Sequence, residues 1–93
     1  MLPAFSAIIP CFNEATRIGA TVRDTLDYLR ENSPQSELIV VNDGSTDDTA
    51  PIVRDVFSGA KIATRLLDNF PNRGKGAAVR AGLLAAQKPI GLF

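Results

Sequence analysis

Leu38-Ile39-Val40-Val41, followed at once by Asn42-Asp43-Gly44-Ser45-Thr46-Asp47-Asp48-Thr49, decides the fold. Four consecutive apolar and largely β-branched residues, with no polar alternation, read as a strand buried on both faces. The next residues favour a turn, and Ser45, Thr46, Asp47 and Asp48 carry side chains that cap helices. Ile52, Val53, Val56 and Phe57 then supply the apolar stripe of a helix that begins near Asp48, which leaves Pro51 in its first turn.

Upstream, Ala4-Phe5-Ser6-Ala7-Ile8-Ile9 reads as a second buried strand, closed by Pro10. Asn13 offers an N-cap for a helix in which Ile18, Val22, Leu26 and Leu29 recur at helical spacing, and Asn32-Ser33-Pro34 stops that helix. Downstream, Ser58-Gly59 ends the second helix and residues 62–67 read as another strand. Asn69-Phe70-Pro71-Asn72-Arg73-Gly74 is a loop by composition, and it opens onto a small-residue helix over residues 74–86 suited to close packing on a sheet. Pro89 ends that helix, and Ile90-Gly91-Leu92-Phe93 starts one more apolar run.

Strand and helix therefore alternate from end to end, which implies an α/β fold: a three-layer α/β/α, Rossmann-like parallel sheet with right-handed crossovers, three complete strands and the start of a fourth. Ligands of such sheets sit at the carboxyl ends of the strands, so the chemistry is expected in the loops at residues 10–14, 42–47 and 68–76.

Composition narrows the function classes. Ninety-three residues allow one folding unit, and a chain of this length buries only about 60 to 65% of its unfolded surface. Ten basic and ten acidic residues cancel, which removes the electrostatic footprint of a nucleic-acid binder. With one cysteine and no histidine there is no intrachain disulfide, no Cys/His zinc site and no histidine general base. No run approaches the roughly 18 apolar residues of a membrane span, and the start of the chain lacks the basic residues of a signal peptide. The cytoplasm, a reducing compartment, is the expected location.

Gly74-Lys75-Gly76 lies at a helix start, where free amides and the helix dipole favour an anion. It fits neither a Walker A loop, which needs Ser or Thr after the lysine, nor a dinucleotide fingerprint, so a plain glycine-rich turn is an equal reading. Asp47 and Asp48 are better explained as helix caps than as cation ligands. Asp43 lies at a strand end inside the expected crevice, where a carboxylate suits the N–H edge of uracil or guanine. Cys11, without a histidine to activate it, reads as a small packed residue.

Taken together, Ile8-Ile9-Pro10-Cys11-Phe12-Asn13-Glu14, the stretch from Glu37 to Thr49 and Asn72-Arg73-Gly74-Lys75-Gly76 resemble the start of family 2 glycosyltransferases with the GT-A fold. The resemblance covers essentially the whole chain, and the segment from Asn72 through Val79-Arg80 looks most like polyprenyl-phosphate sugar transferases such as the dolichyl-phosphate glucose and mannose enzymes.

The resemblance implies a nucleotide-sugar donor, UDP- or GDP-linked, and a polyprenyl phosphate acceptor, with membrane association of the intact enzyme. It implies that Pro10 and Phe12 line the nucleobase pocket, that Glu14 accepts ribose hydroxyls, that Val41 and Asp43 hold the base edge, and that Arg73 and Lys75 lie near the base or diphosphate. Cys11 and Phe12 depart from the small residue and tyrosine often found there. The family's Asp-x-Asp motif, which holds Mg²⁺ or Mn²⁺, and its later catalytic carboxylate do not occur in these 93 residues, so no catalytic residue or metal ligand is assigned within them. The expectation is a partial domain over residues 1–93, limited to donor binding, with an unpaired apolar sheet edge that favours self-association. A non-catalytic nucleotide-binding or regulatory module is the alternative.

Overall fold

A computed structural model describes residues 2–69 and 72–92; Phe70 and Pro71 of the expected third loop, and Phe93 of the expected last strand, lie outside the described residues. The elements run β1 (Ser6–Cys11), α1 (Ile18–Asn32), β2 (Glu37–Asn42), α2 (Thr49–Ser58), β3 (Ala63–Asp68), α3 (Lys75–Ala85) and β4 (Ile90–Leu92). The four strands form one parallel sheet in the order β3-β2-β1-β4. Ser6 stands opposite Glu37 and Cys11 opposite Asn42, while the described residues of β4 pair with Ser6 to Ile8.

The continuous apolar runs of β1 and β2 are explained by helices on both faces of the sheet. Ala7, Ile9, Leu38 and Val40 point to one face and pack with Ile18, Val22, Leu26 and Leu29 of α1 and Val53 of α2. Ile8, Ile39 and Val41 point to the other and pack under Ala78 of α3, with Ala81 and Ala85 against them. Each fully buried leucine or isoleucine contributes about 1.5 to 3 kcal/mol, so the alternation of faces along two strands supplies most of the core. The small residues of α3 set its distance from the sheet: a Cβ on Gly82 would stand 2.5 Å from Ile8 Cγ2.

Three local expectations change. β1 does not stop before Pro10 but runs to Cys11. The amide of Ser6 bonds the carbonyl of Pro89, on the β4 side, whereas the carbonyls of Phe5 and Cys11 accept the amides of Glu37 and Asp43. By alternation Pro10 turns its donorless nitrogen toward the β4 side, beyond Ile8, the last β1 residue in register with β4 among the described residues, so within the described residues no ladder bond is lost. The second change is the start of α1, which is Ile18 with no side-chain cap, because Asn13 is engaged elsewhere. β3 is shifted by one residue to Ala63–Asp68, leaving Ile62 buried in the core.

Away from the strand carboxyl ends lies a buried charge that sequence pattern did not single out. Glu37 is 3% exposed. Its carboxylate accepts Ser6 Oγ at 2.6 Å, the Gln87 amide at 2.9 Å and Arg65 Nη2 at 3.0 Å, tying the turn before β4 to β1, β2 and β3.

Candidate functional site

The loop after β2 is the hub of the carboxyl edge. On one side it holds the loop after β1. Asn13 adopts a left-handed φ of +50°, which asparagine tolerates, and its Oδ1 accepts the Thr46 amide at 2.8 Å. Its own amide donates to Ser45 Oγ at 2.9 Å. The amide of Glu14 donates to Thr49 Oγ1 and that of Ala15 to Asp47 Oδ2. Asn13 is thus a clasp between two loops rather than a helix cap. Asp47 does serve the start of α2, accepting the amide and hydroxyl of Thr49, and that hydroxyl bond outweighs burial to hold its carboxyl below the usual aspartate range. Asp48 sits at the cap position but makes no capping bond through its side chain.

On the other side the hub holds the loop before α3. Asp43, 3% exposed, accepts the Arg73 amide on Oδ1 at 3.0 Å and the Gly74 amide on Oδ2 at 2.9 Å. Asn72 Nδ2 closes on the Asp43 carbonyl at 2.9 Å. Gly44 permits this approach: its φ is +73°, and an added Cβ would lie 2.5 Å from the Asn72 nitrogen.

Between the two clasps opens a cleft of about 460 Å³, lined by Pro10, Cys11, Phe12, Glu14, Asp43, Asn72, Gly74, Lys75 and Ala78. Its size falls within the range of small-molecule sites, and it lies beside the boundary where the strand order turns from β2-β1 to β4. A second depression of about 470 Å³ lies between α1 and α2 near the amino end of β3, but its rim mixes Arg23, Arg30 and Lys61 with Asp27 and Asp55. It does not lie at the carboxyl ends of the strands.

Of the residues singled out in the sequence, Pro10, Phe12, Glu14, Asp43 and Lys75 line the cleft together. Phe12 is 46% exposed, so its ring is available as a packing surface. Glu14 Oε2 is held by Arg17, with Nε at 2.8 Å and Nη2 at 2.5 Å, while Oε1 carries no bond to another described side chain. Arg73 is exposed, and its backbone rather than its side chain reaches Asp43. Val41 is not a cleft residue: its side chain is fully buried beneath α3, and its part is to support the end of β2 that carries Asp43.

Asn72 and Ala78, to which sequence reading gave no role, also line the cleft, together with Gly74 of the glycine-rich helix start. An asparagine ahead of a glycine at a helix start was the available signal. Cys11 sits on the cleft floor, but burial, together with Glu14, Asp47, Asp68 and Asp43, pushes its thiol up to about 11, so it stays a thiol at neutral pH. Among the described residues no group of three or more Cys, Asp or Glu side chains converges to hold a metal ion, and Asp43 has turned its oxygens to backbone amides. The described residues do not build a cation site. No helix among them is long and apolar enough to cross a membrane.

The comparisons with known proteins agree on one family. A solved mannosyltransferase from Pyrobaculum calidifontis, PcManGT in complex with GDP-Man and Mn²⁺, superposes with a TM-score of 0.73 and 31% identity over 90% of this chain and 24% of its own. Dolichyl-phosphate beta-glucosyltransferase ALG5C of Trichomonas vaginalis is 43% identical over 83 residues, covering 83% of this chain and 24% of that protein. Dolichyl-phosphate beta-glucosyltransferase of Saccharomyces cerevisiae is 37% identical over 93 residues, 95% of this chain and 28% of its own length. The chain thus spans about a quarter of the length of these relatives. The parallel sheet and its helices are those of the GT-A fold. Residues 6–93, which hold all three clasped loops and the cleft, match the model for glycosyl transferase family 2, and the chain belongs to that family.

Proposed function

We propose that residues 1–93 are the donor-binding part of a transferase that moves a sugar from a UDP- or GDP-sugar to a polyprenyl phosphate. The observation that carries this reading is the cleft at the carboxyl ends of β1 and β2, where an exposed aromatic ring, two carboxylates and a lysine converge. The nucleobase packs on Phe12 and Pro10. Each Asp43 oxygen has spent one lone pair on a backbone amide and keeps another for a ring N–H. Glu14 Oε1 accepts the ribose hydroxyls while Arg17 fixes the other oxygen. Lys75, with Arg73 beside the cleft, offsets diphosphate charge.

The relatives named for dolichyl phosphate support a lipid-phosphate acceptor and action at a membrane surface. The neighbour's Mn²⁺ supports a divalent cation in the transfer, but no step is assigned to one here because the described residues supply no ligand set. The exposed Ile90 on β4 supports self-association of the 93-residue chain, which sedimentation velocity across a concentration series tests.

Calorimetry with UDP, GDP and the corresponding glucose and mannose conjugates tests the binding claim. Wild type binds at least one nucleotide, and Glu14→Ala weakens it about tenfold through the lost charged hydrogen bond. No binding of any of these by wild type overturns the reading, and nucleotide binding without preference for the sugar conjugates favours a non-catalytic module.

A further inference from the structure

α1 and α3 cover opposite faces of the sheet and are built in opposite ways. In α1 the large apolar residues Ile18, Val22, Leu26 and Leu29 are buried, and the charged residues point to solvent. In α3 the residues against the sheet are small: Ala78 and Gly82 are buried, with Ala81 and Ala85 beside them. The large residues point outward instead, and Leu84 is 77% exposed, with Leu83 exposed next to it. Gly76, Arg80, Leu83 and Leu84 stand at i, i+4, i+7 and i+8, one face of the helix, with Arg80 between the two leucines. A helix that is apolar on its outer face as well as its inner one is built to be covered on both.

Charge is segregated in the same way. Residues 69–93 hold four basic residues and no acidic one, so the zero net charge of the chain divides into a basic end and an acidic remainder. Arg73, Lys75 and Arg80 are exposed and form no ion pair among the described residues, while Lys88 turns its ammonium to the Gln35 carbonyl. Glu37, the carboxylate that the strands turn to the α3 side, is buried and bonded to Ser6, Arg65 and the Gln87 amide. Exposed Asp24, Asp27, Glu31 and Asp55 lie across the sheet, on α1 and α2.

We infer that the outer face of α3 is a docking surface for an anionic bilayer, with Leu83 and Leu84 entering the boundary between headgroups and acyl chains and Arg80 meeting the lipid phosphates. Exposed leucines suit any apolar partner, but the acid-free surround selects an anionic one, and the two together are how interfacial helices hold a membrane. A second copy of the chain fits less well, because a two-fold contact through α3 brings Arg80 of both copies together. The inference names the surface for the membrane action proposed above and rests on that reading. Lys75 at the cleft lies eight residues before Leu83, so a helix docked lengthwise brings the cleft rim within about 12 Å of the leucines along its axis.

The test is cosedimentation of the 93-residue chain with vesicles of phosphatidylcholine alone, and of phosphatidylcholine with phosphatidylserine in equal amounts. Wild type pellets with the anionic vesicles and not with the neutral ones, and added salt weakens the binding. Leu84→Gln, at a position exposed enough to leave folding intact, weakens it about tenfold, and Arg80→Gln about fivefold. Arg23→Gln makes the same change of net charge on α1 and leaves binding unchanged. Absence of wild-type binding, equal binding to both vesicles, or the same affinity for Arg80→Gln and Arg23→Gln overturns the inference. Pelleting without vesicles that Leu84→Gln abolishes makes the face a contact between copies and overturns it as well. Calorimetry with UDP and GDP in the absence of vesicles reads the donor site separately: vesicle binding without nucleotide binding sinks the donor reading and leaves the docking face standing, and the reverse sinks the docking face alone.

Discussion

Replacing Glu37 by glutamine removes one buried charge and almost no volume, so its effect isolates the electrostatics at the end of the sheet remote from the cleft. In wild type three donors converge on the carboxylate: the Ser6 hydroxyl at 2.6 Å, the Gln87 amide at 2.9 Å and Arg65 at 3.0 Å. Glutamine offers one acceptor oxygen and turns an NH₂ group toward donors it cannot satisfy. A hydrogen bond to a charged group contributes about 1.5 to 3 kcal/mol, and breaking a fully buried ion pair costs about 3 to 5 kcal/mol. Arg65 is 35% exposed on its side chain and regains water, and it keeps its bond to the Ala85 carbonyl, so the lower end applies. The expected loss is about 2 to 3 kcal/mol at pH 7, or about 10 to 20 °C in melting temperature for a domain of this size.

The same substitution predicts a pH dependence. Burial alone raises the Glu37 carboxyl, but Ser6, the Gln87 amide and Arg65 outweigh it and leave the folded value below the usual 4.5. A folded value below the unfolded one means that the stabilisation is complete above about pH 4.5 and disappears as pH falls through the folded value. The gap between wild type and Glu37→Gln is therefore full at pH 7 and closes on acidification. Urea unfolding of both proteins from pH 7 to pH 3 measures it. A gap under about 0.5 kcal/mol at pH 7, the range of ordinary surface changes, or one that widens with acid, refutes the reasoning.

Three further outcomes are expected. Gly44→Ala forces a left-handed residue against the Asn72 backbone and destabilises the chain by about 2 to 4 kcal/mol, while lowering exchange protection at Arg73 and Gly74; an unchanged denaturation midpoint contradicts the close approach. Phe12→Ala leaves stability within about 0.5 kcal/mol, because the ring is half exposed, but weakens nucleotide binding by about 1 to 3 kcal/mol of lost stacking; calorimetry showing equal affinity removes the ring from the site. Cys11, buried and with its thiol pushed up to about 11, reacts slowly with a thiol reagent at pH 7.5 and stoichiometrically in denaturant; rapid native labelling contradicts its placement.

Much of the fold was legible because its signals are local. Ile18, Val22, Leu26 and Leu29 announce a helix by spacing alone, and all four are buried along α1. The unbroken run from Leu38 to Val41 announces a strand covered on both faces, and its residues divide between the two cores. Three loops at the carboxyl edge follow from that alternation, and they enclose the cleft. Pro10 misled because a proline stops a strand only where a partner needs its amide, and which side faces a partner depends on strand order. Asn13 misled because a capping side chain is equally able to bind a neighbouring loop.

The sequence alone therefore determined the elements, their parallel arrangement and the edge at which the cleft opens, since helical and strand periods are written into consecutive residues. Only the tertiary structure decided how the polar side chains are spent. Glu37 reads in the chain as an ordinary charge before a strand, and becomes a buried anchor through Ser6, Arg65 and Gln87, all distant in sequence. Asp43 reads as a free carboxylate at a strand end, and becomes the anchor of the loop before α3, accepting two backbone amides some thirty residues later. Burial strengthens such bonds and penalises their absence, but which groups meet is set by the packing of α3 against the sheet, which no local pattern encodes.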